Sequence, residues 1–131
     1  MSATTSNITN SVPAVNVAVL CGTCSGPAEI RILESGTRLA SLAVRCPAGS
    51  GSDERATSVP VTVWDPPAWI ESLEGGDGVV VVGRVRRRFY QRPGGVGSRV
   101  DLEADVIGRA RDRRRLDAVL RRTYDALEAL G

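Results

Sequence analysis

Between Val79 and Tyr90 the chain reads VVVVGRVRRRFY. Side chains alternate across a β-strand, so counting by twos puts Arg84, Arg86, Arg88 and Tyr90 on one face and Val79, Val81, Gly83 and Val85 on the other. One face suits a core. The other is cationic and ends in a ring. Guanidinium groups pair with phosphates through charge-assisted hydrogen bonds, and an aromatic ring stacks on an unpaired base of any identity. The pattern points to single-stranded nucleic acid, with Arg92 and Arg99 flanking the turn that follows.

The same arginines also have a purely structural reading. Beyond a Gly-rich tip, Arg92 to Gly97, the stretch Arg99 to Ile107 sets Val100, Leu102, Ala104 and Val106 on one face and Asp101, Glu103 and Asp105 between them. A hairpin symmetric about that tip brings Arg84, Arg86 and Arg88 opposite Asp105, Glu103 and Asp101. Such cross-strand pairs contribute roughly 0.2–1 kcal/mol each and partly neutralise the face. Arg87, Arg92 and Arg99 fall outside this pairing, so we read a binding surface with partial neutralisation.

The elements that position these residues follow from pattern and punctuation. Val15 to Cys21 reads as a first strand and Gly22 to Pro27 as a bend; Ala28 to Leu33 and Arg38 to Val44 pair around Glu34-Ser35-Gly36-Thr37. Cys46 to Asp53 has loop composition. Thr57 to Trp64 alternates again, with Val59, Val61 and Val63 on one face and Trp64 on the more polar one. Pro66 and Pro67 open a short helix, Ala68 to Leu73, whose Trp69 packs into the core. The basic hairpin comes next. Arg109 to Leu130 then spaces Leu116, Leu120, Thr123, Leu127 and Leu130 as an amphipathic helix stripe; Arg111, Arg113, Arg114 and Arg115 have two readings, contact with nucleic acid and, more often for such a cluster, a solvated helix face.

Length and composition bound the answer. At 131 residues and 42% hydrophobic the chain suits one compact domain with its own core, Asn-, Ser- and Thr-rich residues 1–13 forming a disordered lead-in, 14–108 the domain and 109–131 the added helix. All 17 basic residues are arginines, which we attribute more to codon bias than to phosphate recognition. The lead-in does not resemble a secretory signal, no run approaches the roughly 20 apolar residues of a membrane span, and three cysteines cannot all pair within one chain. These features predict a cytoplasmic protein. Cys21 and Cys24 form a CxxC, but with no histidine and only Cys46 besides, they read as small buried hydrophobes rather than a zinc or redox site. Lysine and a phosphate-binding glycine loop opening a helix are also missing, so neither an enzyme, a cofactor nor a small-molecule substrate is expected.

Short strands, one small helix before a long final hairpin and no catalytic cluster fit a mainly β, five-stranded Greek-key barrel, the OB-fold. Over roughly Asn16 to Ile107 the sequence resembles the bacterial single-stranded DNA-binding (SSB) family. The resemblance is carried, in order, by Asn16, Val19-Leu20-Cys21-Gly22, Ala28-Glu29-Ile30-Arg31, Ser35-Gly36-Thr37 and Pro60-Val61-Thr62-Val63-Trp64. Gly76-Asp77, Val79 to Arg86 and Glu103-Ala104-Asp105-Val106-Ile107 complete it. It implies that Trp64 and Tyr90 stack with bases while Arg86 and Arg88 hold phosphates, in a protein that protects unpaired strands during replication, recombination or repair.

Departures from the family pattern matter as well. Two further aromatic positions fall on Ser58 and near Ala48, and each lost ring is worth about 1–3 kcal/mol of binding. The chain closes on Asp125-Ala126-Leu127-Glu128-Ala129-Leu130-Gly131, in place of the family's acidic recruiting tip, so that recruitment is not carried over. The family's habit of assembly and the apolar stripe Leu116, Leu120, Leu127 and Leu130 predict a homo-oligomer, dimer or tetramer, with the helix docking on its own barrel or across the interface. The competing expectation is an assembly module that keeps the barrel and has lost useful DNA affinity.

Overall fold

The computed structural model describes residues 14–47 and 56–130. The expected lead-in and most of the Cys46 to Asp53 loop lie outside the described residues. The described residues contain six strand segments: β1 (Ala18–Cys24), β2 (Glu29–Ile32), β3 (Arg38–Pro47), β4 (Ala56–Trp64), β5 (Gly78–Arg92) and β6 (Gly95–Arg109). They make five barrel strands, because the end of β1 and the whole of β2 run along the same edge of β3, Cys24 beside Val44 and Glu29 beside Ser41. β1 also pairs with β5, β5 with β6, β6 in parallel with β4, and β4 with β3, which closes the sheet as an OB-fold. Closure requires close backbone approach at Gly22, where a Cβ would sit 2.1 Å from the Arg45 carbonyl oxygen.

Alternation supplies the core along β3, β4 and β5, and on β6 the bulge at Asp105 switches parity so that Leu102 and Ile107 both face inward. Ala40, Leu42 and Val44 from β3, Val61 and Val63 from β4, Val79 and Val81 from β5, and Leu102 and Ile107 from β6 are all buried together. The short helix is a 3-10 turn, Ala68–Ser72, because Pro67 starts it and Ile70 and Leu73 donate to carbonyls three residues back. It plugs the barrel with Ile70 and Leu73, and Trp69 packs against the core beneath Arg109, whose guanidinium carbon stands 5.0 Å from the ring centroid.

Several boundaries differ from expectation. The first strand starts at Ala18 because Asn16 substitutes for a strand residue: its Nδ2 donates to the Val85 carbonyl and its Oδ1 accepts from the Val85 N–H, continuing the ladder through a side chain. β1 also runs on through Gly22 and Thr23, which the sequence had as a bend, and β3 absorbs Cys46 and Pro47. The hairpin tip is only Pro93-Gly94, Gly94 taking the φ of 90° that the second position of a Pro-Gly turn requires. The tighter turn moves the register by two, so Arg84 lies opposite Glu103, Arg86 opposite Asp101 and Arg88 opposite Arg99. A bulge at Val82/Gly83 takes back one residue of that shift on the barrel side, where Val82 lies opposite Val106.

The terminal helix, α1 (Arg113–Glu128), begins four residues later than expected because β6 continues to Arg109 and Asp112 caps the helix, its Oδ1 accepting from the Arg115 N–H. α1 lies against the outside of its own barrel. Val119 is buried and Leu116 and Leu120 half-buried, whereas Leu127 and Leu130 stay exposed.

Candidate nucleic-acid interface

Beyond Arg86 and Asp101 the β5–β6 hairpin has no further strand neighbour among the described residues and extends as an arm of roughly 20 Å. Arg84, Arg86, Arg88, Tyr90 and Arg92 share one face of it, with Glu103, Asp101, Arg99, Gly97 and Gly95 directly across. The ion pairs run diagonally to this register. Arg84 Nη2 is 3.3 Å from Asp105 Oδ1, Arg86 Nη1 donates to Glu103 Oε1 at 2.7 Å, and Arg88 Nε donates to Asp101 Oδ2 at 2.8 Å. The partners read from the sequence therefore form although the backbone register differs, because arginine is long enough to reach a diagonal neighbour.

Asp105 is exposed as its parity suggested, but Asp101 and Glu103 are not. The Asp101 side chain is 0% exposed and Glu103 is nearly buried, covered by the arginines and by Thr62 on β4, whose Oγ1 donates to Asp101 Oδ2. Burial of these carboxylates divides the arginines into two kinds. Arg88 is committed to Asp101 and Glu103 and is largely covered, while half of the side chain of Arg84 and of Arg86 remains open. Arg92 and Arg99 are exposed and make no ion pair among the described residues.

Trp64, at the end of β4, is 38% exposed on the same outer face as Thr62. Tyr90 is 46% exposed near the arm's tip, and its ring lies on Gly97, where a Cβ would come within 2.6 Å of the Tyr90 Cζ. Measured along β6 the two rings are about 25 Å apart, a span of several nucleotides. Ser58 is exposed on the Trp64 face without a ring, and the Ala48 position lies outside the described residues.

Three contributors escaped the sequence reading. Thr62 looked like an ordinary outward strand residue, but it fixes the Asp101 carboxylate. Phe89, on the reverse face of the arm with Arg87, is 69% exposed, the most open ring of the hairpin; its signal was simple parity, overlooked beside Tyr90. Arg122, beyond the arginine cluster of the helix start, lines a groove with Trp64 and with Arg115 of that cluster. Among the described residues no group of three or more His, Cys, Asp or Glu could hold a metal ion, and no helix is long and apolar enough to cross a membrane.

No curated protein sequence matches the chain. Compared with known families, residues 15–110 match the Single-strand binding protein family. That span begins beside Asn16 and ends with β6, taking in the closed barrel, the 3-10 plug and the whole arginine-bearing arm, while α1 falls beyond it. An OB-fold barrel matched over this span is a single-stranded DNA-binding domain, and the chain belongs to the single-strand binding protein family.

Proposed function

We infer that single-stranded DNA crosses the outer face of the barrel and arm, with bases stacking on Tyr90 and Trp64 and phosphates held by Arg84, Arg86, Arg92 and Arg99. The observation that carries this reading is the sharing of one sheet face by two part-exposed rings and the open arginines between them. Arg88 lies on the same face and acts chiefly through its neighbours, since its guanidinium is held by Asp101 and Glu103. Stacking and electrostatic capture are both sequence-tolerant, which suits protection of unpaired strands in replication, recombination or repair. The three unpaired thiols, Cys21, Cys24 and Cys46, favour work in the reducing cytoplasm.

We also infer a homo-oligomer, dimer or tetramer. Val17, Val19, Leu127 and Leu130 each keep about two-fifths or more of their surface exposed, apolar area that a second copy would cover. Leu116 and Leu120 are already partly spent on the chain's own barrel. Light scattering at micromolar concentration tests this: a mass of several chains is expected, and a mass of one chain overturns it.

A second reading, an assembly module with little DNA affinity, is favoured by one feature, the matching of Arg84, Arg86 and Arg88 by Asp105, Glu103 and Asp101. Titration with oligo(dT) and with duplex at several salt concentrations separates the two. Preferential, salt-sensitive binding of the single strand is expected; no binding at low salt would leave the assembly module.

A further inference from the structure

The outer face does not stop at Trp64. Immediately after it, Asp65 takes a φ of 48°, a left-handed conformation that aspartate tolerates, and donates its N–H to the Arg38 carbonyl, turning the chain sharply into Pro66 and Pro67. The turn leaves a groove of about 220 Å³ between the end of β4 and α1, walled by Trp64, Pro67, Val106, Arg115 and Arg122. Two carboxylates also border it. Asp105 is met by Arg84 at 3.3 Å, whereas neither Arg115 nor Arg122 makes an ion pair among the described residues.

The groove therefore combines a part-exposed indole with two guanidinium groups that make no ion pair among the described residues, Asp65 being the one carboxylate on it that Arg84 does not meet. That is the chemistry of a nucleotide subsite: a ring for the base and fixed cations for the phosphates on either side. Its position fits a continuous path, because it opens at the Trp64 end of the face, farthest from Tyr90 and the arm. α1 lies outside the span that matches the family, so the match assigns these arginines no role.

We propose that Arg115 and Arg122 of α1, with Trp64, form a further subsite for single-stranded DNA, so that the terminal helix extends the binding path past the barrel. This rests on the reading of the outer face as the DNA surface. Docking of α1 through Val119 holds the two arginines over the groove, and the helix thereby acquires a role besides covering the barrel.

The test uses full-length protein and oligo(dT) long enough to span the face, with affinity followed against salt. Each phosphate contact on a single strand contributes about 0.7 to the slope of log affinity against log salt. Arg115→Gln with Arg122→Gln should flatten the slope by about 1.4, an affinity loss of about 25-fold at 0.1 M salt that closes toward 1 M. A control, Arg113→Gln with Arg121→Gln, removes the same charge from positions that do not line the groove and should leave the slope in place. Thermal unfolding of both variants, expected to match wild type, separates loss of a contact from loss of the helix. If binding is intact and Trp64→Ala weakens it, but the Arg115/Arg122 slope equals wild type, the subsite is refuted and the outer face stands. An equal drop in both double variants also refutes it, since net charge would then explain the loss. If wild type binds no single strand at all, the underlying reading has failed with it.

Discussion

The Arg88 Nε stands 2.8 Å from Asp101 Oδ2, and the Thr62 hydroxyl donates to the same oxygen at 2.9 Å, tying β5, β6 and β4 together through one buried carboxylate on the outside of the barrel. A charge this deeply covered is tolerable only while its partners are in place. The parallel β4–β6 ladder is short, Val61 beside Leu102 and Thr62 beside Glu103, so the side-chain bonds reinforce the seam where backbone pairing is sparse. Arg88 is thus drawn from the binding surface into the fold.

Replacing Arg88 by Ala strands the Asp101 carboxylate and should lower stability by about 3–5 kcal/mol. Urea unfolding at neutral pH checks this. Replacing both partners together, Arg88→Met with Asp101→Leu, should recover much of the loss, because an apolar pair leaves no uncompensated charge. A single variant as stable as wild type would contradict the assignment of Arg88 to the seam.

Arg86 behaves differently because half of its side chain is open. Arg86→Ala should leave the unfolding midpoint close to wild type and flatten the salt slope of oligo(dT) binding by about 0.7. An unchanged slope would mean that Glu103 holds Arg86 even in the complex.

How far the sequence could be read depended on the range of the interaction. Alternation along β4, β5 and β6 is local, so the core valines and the outward positions of Trp64 and the arginines were legible. The hairpin register was not, because it turns on whether the tip is two residues or a longer glycine loop, and Pro93-Gly94 settles that only once strand pairing competes with it. Salt-bridge partners nevertheless came out as read, since the two-residue shift preserves parity and arginine spans the diagonal. Burial of Asp101 depends on Thr62 from a strand about 40 positions away, and the groove beside Trp64 depends on where α1 docks; neither leaves a periodic trace.

Tryptophan fluorescence should report the complex through Trp64. Its ring is part-exposed on the outer face, while Trp69 lies against the core under Arg109. Trp64→Ala should abolish most of the quenching by oligo(dT) and cost about 1–3 kcal/mol of binding with little change in melting temperature. Quenching that survives in this variant and vanishes in Trp69→Phe would reverse the assignment.

Gly97 matters for Tyr90 rather than for the turn. The nearest atoms a side chain there meets belong to the movable end of the tyrosine ring, Cζ at 2.6 Å, so the ring is what must give way. Gly97→Val should therefore weaken oligo(dT) binding about as much as Tyr90→Ala while keeping the melting temperature. If Gly97→Val binds like wild type, the ring's resting place does not contribute to recognition.

Cys24 gives a pH prediction with a definite sign. Burial pushes its thiol above the ordinary range, the nearby Asp77 carboxylate adds to the rise, and Arg109 opposes it. A group whose folded pKa is raised contributes its full stabilisation below the unfolded value, near 8.5 for a thiol, and loses it as pH climbs through the folded value. Wild-type protein should therefore lose stability more steeply than Cys24→Ala as pH rises from about 8.5 upward, whatever the difference between them at pH 7. Urea unfolding of both proteins across that window measures the slopes, with the variant cancelling the shared contribution of the tyrosines. The reaction of thiols with iodoacetamide provides an independent check: the exposed Cys21 should be alkylated well before the buried Cys24, with mass spectrometry assigning the sites. Equal slopes together with early labelling of Cys24 would show that its thiol is open to water rather than held neutral in the barrel.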